Sequence, residues 1–530
     1  VTSRARPTRV SPFRPFRHRA FATVWTGSFV SNIGTWMETV AIGVYVTQTT
    51  GQAAWTGTVA ALTYVPTVLL GPFGGALADR FDRRRFLVAV TLFQVALAGT
   101  LTLLAAGGRL SVPAVAAIVL LAGCAFAVAM PAVQAMTPDL VGADDLLGAM
   151  SLGAAQFNLG RVVGPALAGL VITAGGLAWA FGLNTVSFGA VLVALAMVRI
   201  PPPAQKAPGR VRVLRTIAHG VVAARRDPGI RTALLLLLAT TFLVSPFIGL
   251  VPAVAIKVFD RGATGTSALV TAQGVGAVCS ALAAGPLAGM LGRRRLLVAA
   301  LLLVGPAAIA YGLAPAFPLA VAGIALLGFV YLAVLSGTST VCQMRAPREL
   351  RARMASLFML AVGGGHATGL VVQGWLGDRV GLPAVTAVTG LLLLGVVAAV
   401  RLLRPDLLAA MDDPATAPSP FAPVEATPAE APAPAMPVGD PAGSFDVHAL
   451  QAEDGQAQRG QGDHGREHGR ADRPEPDGEV DTATGQGGGE HALGVAADGE
   501  RRRRRGHADQ RPLPEQGVRE ADDNRAGHQE

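Results

Sequence analysis

Glu38 and Arg161 each stand inside a long apolar run, where a charge is expensive and marks a functional position by default. A carboxylate in such surroundings can be held protonated as well as ionised, so Glu38 is suited to take up and release a proton. Helical spacing puts it on one stripe with Ser31 and Thr35, beside Asn32, the pattern of a face turned to a cavity. The alternative is a glutamate snorkelling to the outer headgroups. Arg161 costs roughly 2.5 to 3.5 kcal/mol at the centre of a span even on lenient scales, so it must face protein or water. Asn158 precedes it by three residues and Pro165 follows by four, giving a polar, kinked face. Such a face can bind an anionic group, pair with an acid such as Glu38, or fix helices together through backbone carbonyls.

Other polar groups are weaker signals. His366, in the run Gly363-Gly364-Gly365-His366, has the ordinary titration range of a proton carrier but also suits a packing role on a glycine-rich helix. Trp36, Tyr64, Gln134, Gln156, Gln343 and Gln373 can line a cavity for a polyfunctional solute. Asp79 sits among Arg80, Arg83, Arg84 and Arg85 at the end of an apolar run, an acid amid cations that can latch one conformation. The plainer account is that these arginines only set topology. No span end carries a nucleophile with a base, an HExxH pair or a P-loop, so the expectation is no catalytic residues, no enzyme and no cofactor. Cys124, Cys279 and Cys342 stand alone in apolar stretches and are expected as small buried hydrophobes; no metal site is expected.

The elements that must position these groups follow from composition. With 51% hydrophobic and 15% charged residues, the 530-residue chain is too apolar for a soluble protein, so its apolar blocks must face lipid. Blocks bounded by charges, Gly and Pro predict spans near 20–46, 55–78, 86–106, 112–136, 148–174 and 177–199. Six more follow near 231–257, 266–291, 296–314, 317–343, 354–376 and 383–403. The link 200–230, opening with Pro201-Pro202-Pro203 and rich in Arg, predicts an interfacial amphipathic helix. The chain thus divides into an N-terminal segment 1–19, a six-helix bundle 20–199, the link 200–230, a second bundle 231–404 and a tail 405–530 whose composition predicts disorder. Residues 1–19 lack a short cleavable apolar core and are expected to be a retained signal-anchor start.

Lys and Arg fall overwhelmingly on the side of residues 4–19, 80–85, the link, 293–295, 345–353 and 401–404. That side is therefore expected to be cytoplasmic, with both termini inside and the chain in the cell inner membrane. The net charge of +9 reports this orientation and not nucleic-acid binding. The stretch from Gly75 to Arg85 aligns with Gly285 to Arg295, each after the second span of its half, as in two parallel repeats.

The motif Gly75-x-Leu77-x-Asp79-Arg80-x-x-Arg83-Arg84-Arg85 resembles the signature loop of the major facilitator superfamily, over residues 16 to 403. Gly160-x-x-x-Gly164-Pro165-x-x-Ala168-Gly169 resembles the antiporter motif of its drug:proton antiporter branch, which includes the enterobactin exporter. Departures are Asp82 and Ala168, each where the pattern has Gly, and the missing Arg in the fourth span, 115–136. The resemblance implies an all-helical integral membrane fold of twelve spans in two six-helix bundles. It implies a proton-coupled exporter of a small organic molecule by alternating access. Glu38 would be the proton carrier and Asp79 with Arg83 the latch of the outward-facing state. An importer or uniporter on the same fold, and a non-transporting receptor or scaffold, are the alternatives. The expected partners are a small-molecule substrate and the bilayer, with the chain acting as a monomer.

Overall fold

The structure is a computed structural model and describes residues 13–78, 82–198 and 213–412. Asp79, Arg80, the N-terminal start, part of the link and the tail after Asp412 lie outside the described residues. The described chain forms α1 (Arg19–Thr50), α2 (Ala53–Ala78), α3 (Arg83–Ala106), α4 (Val112–Val141), α5 (Leu146–Met197), α6 (Val213–Arg226) and α7 (Pro228–Leu243). It continues as α8 (Val251–Lys257), α9 (Ala263–Leu291), α10 (Arg293–Gly312), α11 (Phe317–Arg345), α12 (Arg351–Val380) and α13 (Leu382–Leu403). Every regular element among the described residues is helical, as backbone polar groups in hydrocarbon require.

Local chemistry sets the ends. Asp82, the departure in the signature loop, caps α3 by accepting from the Arg85 backbone N–H at 2.8 Å. Asp227 caps α7 in the same way through Ile230 N–H at 2.8 Å, with Pro228 at the first helical position. Gly51, in the left-handed region at φ 65°, closes α1 by donating to Thr47. Gly176 (φ 79°) breaks α5 into two arms, at the place where the sequence puts the boundary between its fifth and sixth spans. Between α7 and α8 the chain passes through a 3₁₀ turn, Ser245–Phe247, so the seventh predicted span is interrupted in its middle.

Ten helical stretches among the described residues are long and apolar enough to cross a membrane. α5 counts once in that number although it is broken, and α1 falls outside it although it has 32 residues, because its polar stripe dilutes its apolarity. Leu103, Leu170, Val186, Leu282 and Leu303 are each more than half exposed on such helices, where lipid replaces water. Cys342 is buried, but Cys279 is exposed and corrects the expectation for that cysteine: α9 turns it outward.

α1 packs on both arms of α5, α2 on α4, and α3 on α5; α7 packs on α12, α9 on α11, and α10 on α11 and α13. α1 touches α8 and α9, but the most extensive packing between α1–α5 and the later helices is α2 with α12 and α5 with α9. Both pairs are tight at one end. A Cβ at Gly57 would stand 2.3 Å from the Leu370 carbonyl oxygen, one at Gly374 2.6 Å from that of Ala53, and one at Gly169 2.9 Å from Ser267. At the opposite end, Gly153, Gly285 and Gly289 have nothing within 4 Å of that position, and Leu147, Met150 and Met290 are exposed. α5 and α9 therefore part toward the end that carries Arg83 and Arg293.

Candidate translocation site

Arg161 projects from the first arm of α5, where α5 meets α9: its carbonyl oxygen is 3.0 Å from where a Cβ on Gly274 would stand. Its guanidinium lies 5.7 Å from the Trp36 ring centroid, and Phe157 meets Trp36 edge-on. It is within electrostatic reach of the Tyr64 and Tyr331 hydroxyls and of His366. No carboxylate pairs with it among the described residues, and its Nε is buried without a hydrogen-bond partner. His366 packs edge-on against Tyr64 at 4.5 Å and bonds through Nδ1 to the Ser245 hydroxyl, which leaves its buried Nε2 unpartnered. Gln273, next to Gly274, is fully buried with neither amide atom bonded. A cation with aromatic walls and unused polar atoms is an arrangement that can hold an anionic or polar solute.

Glu38 occupies a second place. Its Oε2 accepts from Asn184 Nδ2 at 2.7 Å, on the second arm of α5, and Ser187 donates to the Asn184 carbonyl at 2.7 Å. Asn184 is fully buried while Glu38 keeps partial exposure. The expected Glu38–Arg161 pair is not brought together. Trp36 and Glu38 are two residues apart, so on a helix they diverge by roughly 200° and cannot both face Arg161. The expected stripe divides as well, with Ser31 buried and Thr35 exposed.

Several residues expected in the cavity serve the scaffold. Asn32 donates to the carbonyls of Gln156 and Phe157 at 3.2 and 3.3 Å and clamps α1 to α5. Gln373 donates to the Phe242 and Leu243 carbonyls at 2.9 and 2.8 Å, satisfying the open end of α7 at the 3₁₀ turn. Asn158 bonds to Ala154 of its own helix, Thr35 to Ser31, and Gln343 to Ser339 near the far end of α11. Gln156 is half-buried beside that clamp and contributes its backbone carbonyl there. The sequence does not single out Asn184, Ser245, Gln273 or Tyr331. Asn184 had a signal, since a buried acid demands a partner and it is the lone Asn of its span.

A profile of the family described as transmembrane secretion effector matches residues 10–430. The chain belongs to that family. Macrolide efflux protein A of Streptococcus pyogenes is 26% identical over 374 residues, covering 68% of this chain and 90% of that protein. The enterobactin exporter of Salmonella typhi is 30% identical over 381 residues, covering 70% and 89%. Among solved structures, the nucleoside transporter NupG matches with a TM-score of 0.57 at 12% identity, covering 74% of this chain and 98% of that one. A D-xylose-proton symporter matches with a TM-score of 0.58 at 14% identity, covering 73% and 98%. The protein is thus a multi-pass membrane transporter of the major facilitator superfamily, and not an enzyme.

The glycines of the motif around Pro165 mark close helix approach. A Cβ at Gly160 would stand 2.4 Å from Asn32 Nδ2, one at Gly164 2.6 Å from the Ile33 carbonyl oxygen and from Trp36, while Gly169 faces Ser267 of α9. Pro165 is buried within α5. Of the signature loop, Gly75 ends in α2, while Asp79 and Arg80 lie outside the described residues. Arg83 bonds the Asp139 carboxylate at the end of α4, and Arg84 donates to the Leu195 and Ala196 carbonyls at 2.6 and 2.8 Å. At the sealed end a different acid spans the halves: Asp378 of α12 accepts from Ala53 and Ala54 N–H, both at 2.8 Å, and pairs with Lys257 at 2.5 Å.

Proposed function

We propose that the protein is a proton-coupled exporter of a small organic solute of the drug or siderophore class, working as a monomer by alternating access. The reading takes α5 as two crossings and α1 as another, giving twelve in two bundles of six. The positive-inside distribution orients both termini and the link toward the cytoplasm, so the open end faces inward. The observation that carries it is Arg161: a cation without a counter-ion among the described residues, beside the Trp36 ring and within electrostatic reach of Tyr64 and Tyr331, where α5 meets α9. An anionic or polar solute supplies the missing partner. Glu38, partly exposed and held by Asn184, carries the proton. The relatives named for macrolide efflux and enterobactin export support the outward direction and the solute class.

Flux in inverted vesicles tests this. A macrolide or a siderophore should accumulate when a proton gradient is imposed, Glu38→Gln should uncouple accumulation from the gradient, and Arg161→Ala should abolish solute binding. Unchanged coupling in both variants, or gradient-driven movement in the opposite direction, overturns the assignment.

A further inference from the structure

The two repeats differ in how they satisfy the arginine that opens the third helix of each half. Arg83 is the first residue of α3 and Arg293 the first of α10. Asp139 and Met344 stand at the same position counted from the starts of α4 and α11. In the first half Arg83 bonds the Asp139 carboxylate; in the second Arg293 Nη1 meets the Met344 sulfur at 3.1 Å, and no carboxylate lies within 4.0 Å of it among the described residues. A thioether is a weak acceptor and carries no charge. The neighbouring arginines are occupied, Arg294 by Asp412 at 2.5 Å and Arg345 by Asp227 at 2.9 and 3.1 Å.

Arg293 also stands at the edge of a partly open cavity of about 380 Å³ lined by α9, α10, α11 and the segment at Met411 and Asp412, whose carboxylate is taken up by Arg294. Gly276 of α9 packs against Ala325 of α11, and toward the C-terminal end of α9 the residues on that side, Ala284, Leu287 and Ala288, line the cavity instead. Leu287, Phe329, Ala333 and Val341 wall the space, with the Ser336 and Thr340 hydroxyls beside them. Its size is that of a small-molecule pocket.

We propose that this pocket binds an anionic amphiphile, its carboxylate or phosphate on Arg293 and its apolar body against Leu287, Phe329 and Val341. Arginine suits either anion through paired N–H donors. The site is separate from Arg161 and does not depend on the direction of transport.

The test uses the full chain in nanodiscs. One probe is a diazirine-bearing palmitic acid added from water to phosphatidylcholine discs; the other is phosphatidylglycerol with a diazirine in its acyl chain, built into the disc. Mass spectrometry maps the labelled peptides. Label from at least one acid should concentrate on 280–297 and 329–344 and fall about tenfold in Arg293→Gln, the loss of one charge-assisted contact. It should be retained in Arg293→Lys and blocked in Ser336→Trp, which fills the space while keeping the cation. Labelling by palmitic acid assigns a water-borne solute, and labelling by phosphatidylglycerol alone assigns a lipid. Label spread evenly over the lipid-facing helices, equal label in all variants, or equal label there by the uncharged diazirine hexadecanol overturns the proposal.

Discussion

The two charged residues that the apolar runs made conspicuous answer different needs. Glu38 has its partner in Asn184, a fully buried amide whose donor has no other use in the structure. Removing one side of a buried hydrogen bond leaves the other unsatisfied, at about 1 to 3 kcal/mol. Asn184→Leu is therefore expected to lower the melting temperature of the purified protein and to displace the pH profile of efflux. Thr39→Ala, on the exposed face of α1, should leave both in place. A melting loss with an unmoved pH profile would make Asn184 a packing residue and remove it from proton handling. That neither charge faces lipid was legible from its cost in hydrocarbon. Their separation was not, because it depends on how α1 is rotated against the two arms of α5, and a single sequence gives spacing along a helix without the direction its neighbours come from. Gln373 is the same case: its task, bonding the free carbonyls of α7, exists only because the chain leaves the α-helix at Ser245–Phe247.

At the scale of elements, most helix ends fell where Gly, Pro and charges punctuate the apolar runs, since those residues act locally. What the runs could not show is which helices meet across the seam, and there Asp378 is the most informative contact. Its carboxylate satisfies two free N–H groups at the start of α2 and pairs with Lys257 at the end of α8, so α12, α2 and α8 are tied at the sealed end. Hydrogen bonds to a charged group are worth about 1.5 to 3 kcal/mol each. Asp378→Asn should thus move the balance between sealed and open forms of this end at least about tenfold, read as thiol accessibility of a Gln52→Cys reporter. Unaltered accessibility would show that the seal rests on the glycine contacts of Gly57 and Gly374 alone. A second tie binds the segment before α1: Arg14, Arg17 and His18 converge on the buried carboxylate of Asp145 at 3.1, 3.1 and 2.8 Å. The His18 hydrogen bond, with the two guanidinium groups, holds the Asp145 carboxyl below the usual carboxylate range. A depressed pKa stabilises the docked form above the ordinary carboxyl value, and that stabilisation is lost as pH falls through the lowered one. Protection of the amides within residues 14–18, measured against the intrinsic exchange rate at each pH, should accordingly be high near neutrality and fall only in acid, below about pH 4. Asp145→Asn should show the low protection already at neutral pH, and a variant as protected as the native chain would dissolve the tie.

For the whole molecule, the question is whether the seam is a hinge or a weld. Tight glycine contacts at one end and open space at the other are what one member of a pair of states presents, but a rigid receptor could hold the same shape permanently. The two differ in how the ends covary. In a rocking transporter the open end must close before the seal on the other side breaks, so the distances at the two ends change in opposite senses about a fixed middle. With Cys124, Cys279 and Cys342 replaced, spin labels at Gln52 and Val380 report the sealed end, and labels at Leu147 and Met290, both strongly exposed, report the open one. Without a gradient the first pair should be close and narrowly distributed, the second far apart. Imposing a proton gradient with solute present should lengthen the first distance in the same fraction of molecules in which the second shortens, since both read one equilibrium. Asp378→Asn should shift both distributions without solute, because the tie it removes belongs to only one of the states. If the gradient and the variant move neither pair, or move one end alone, the halves do not rock about Arg161, and the site there serves recognition without transport.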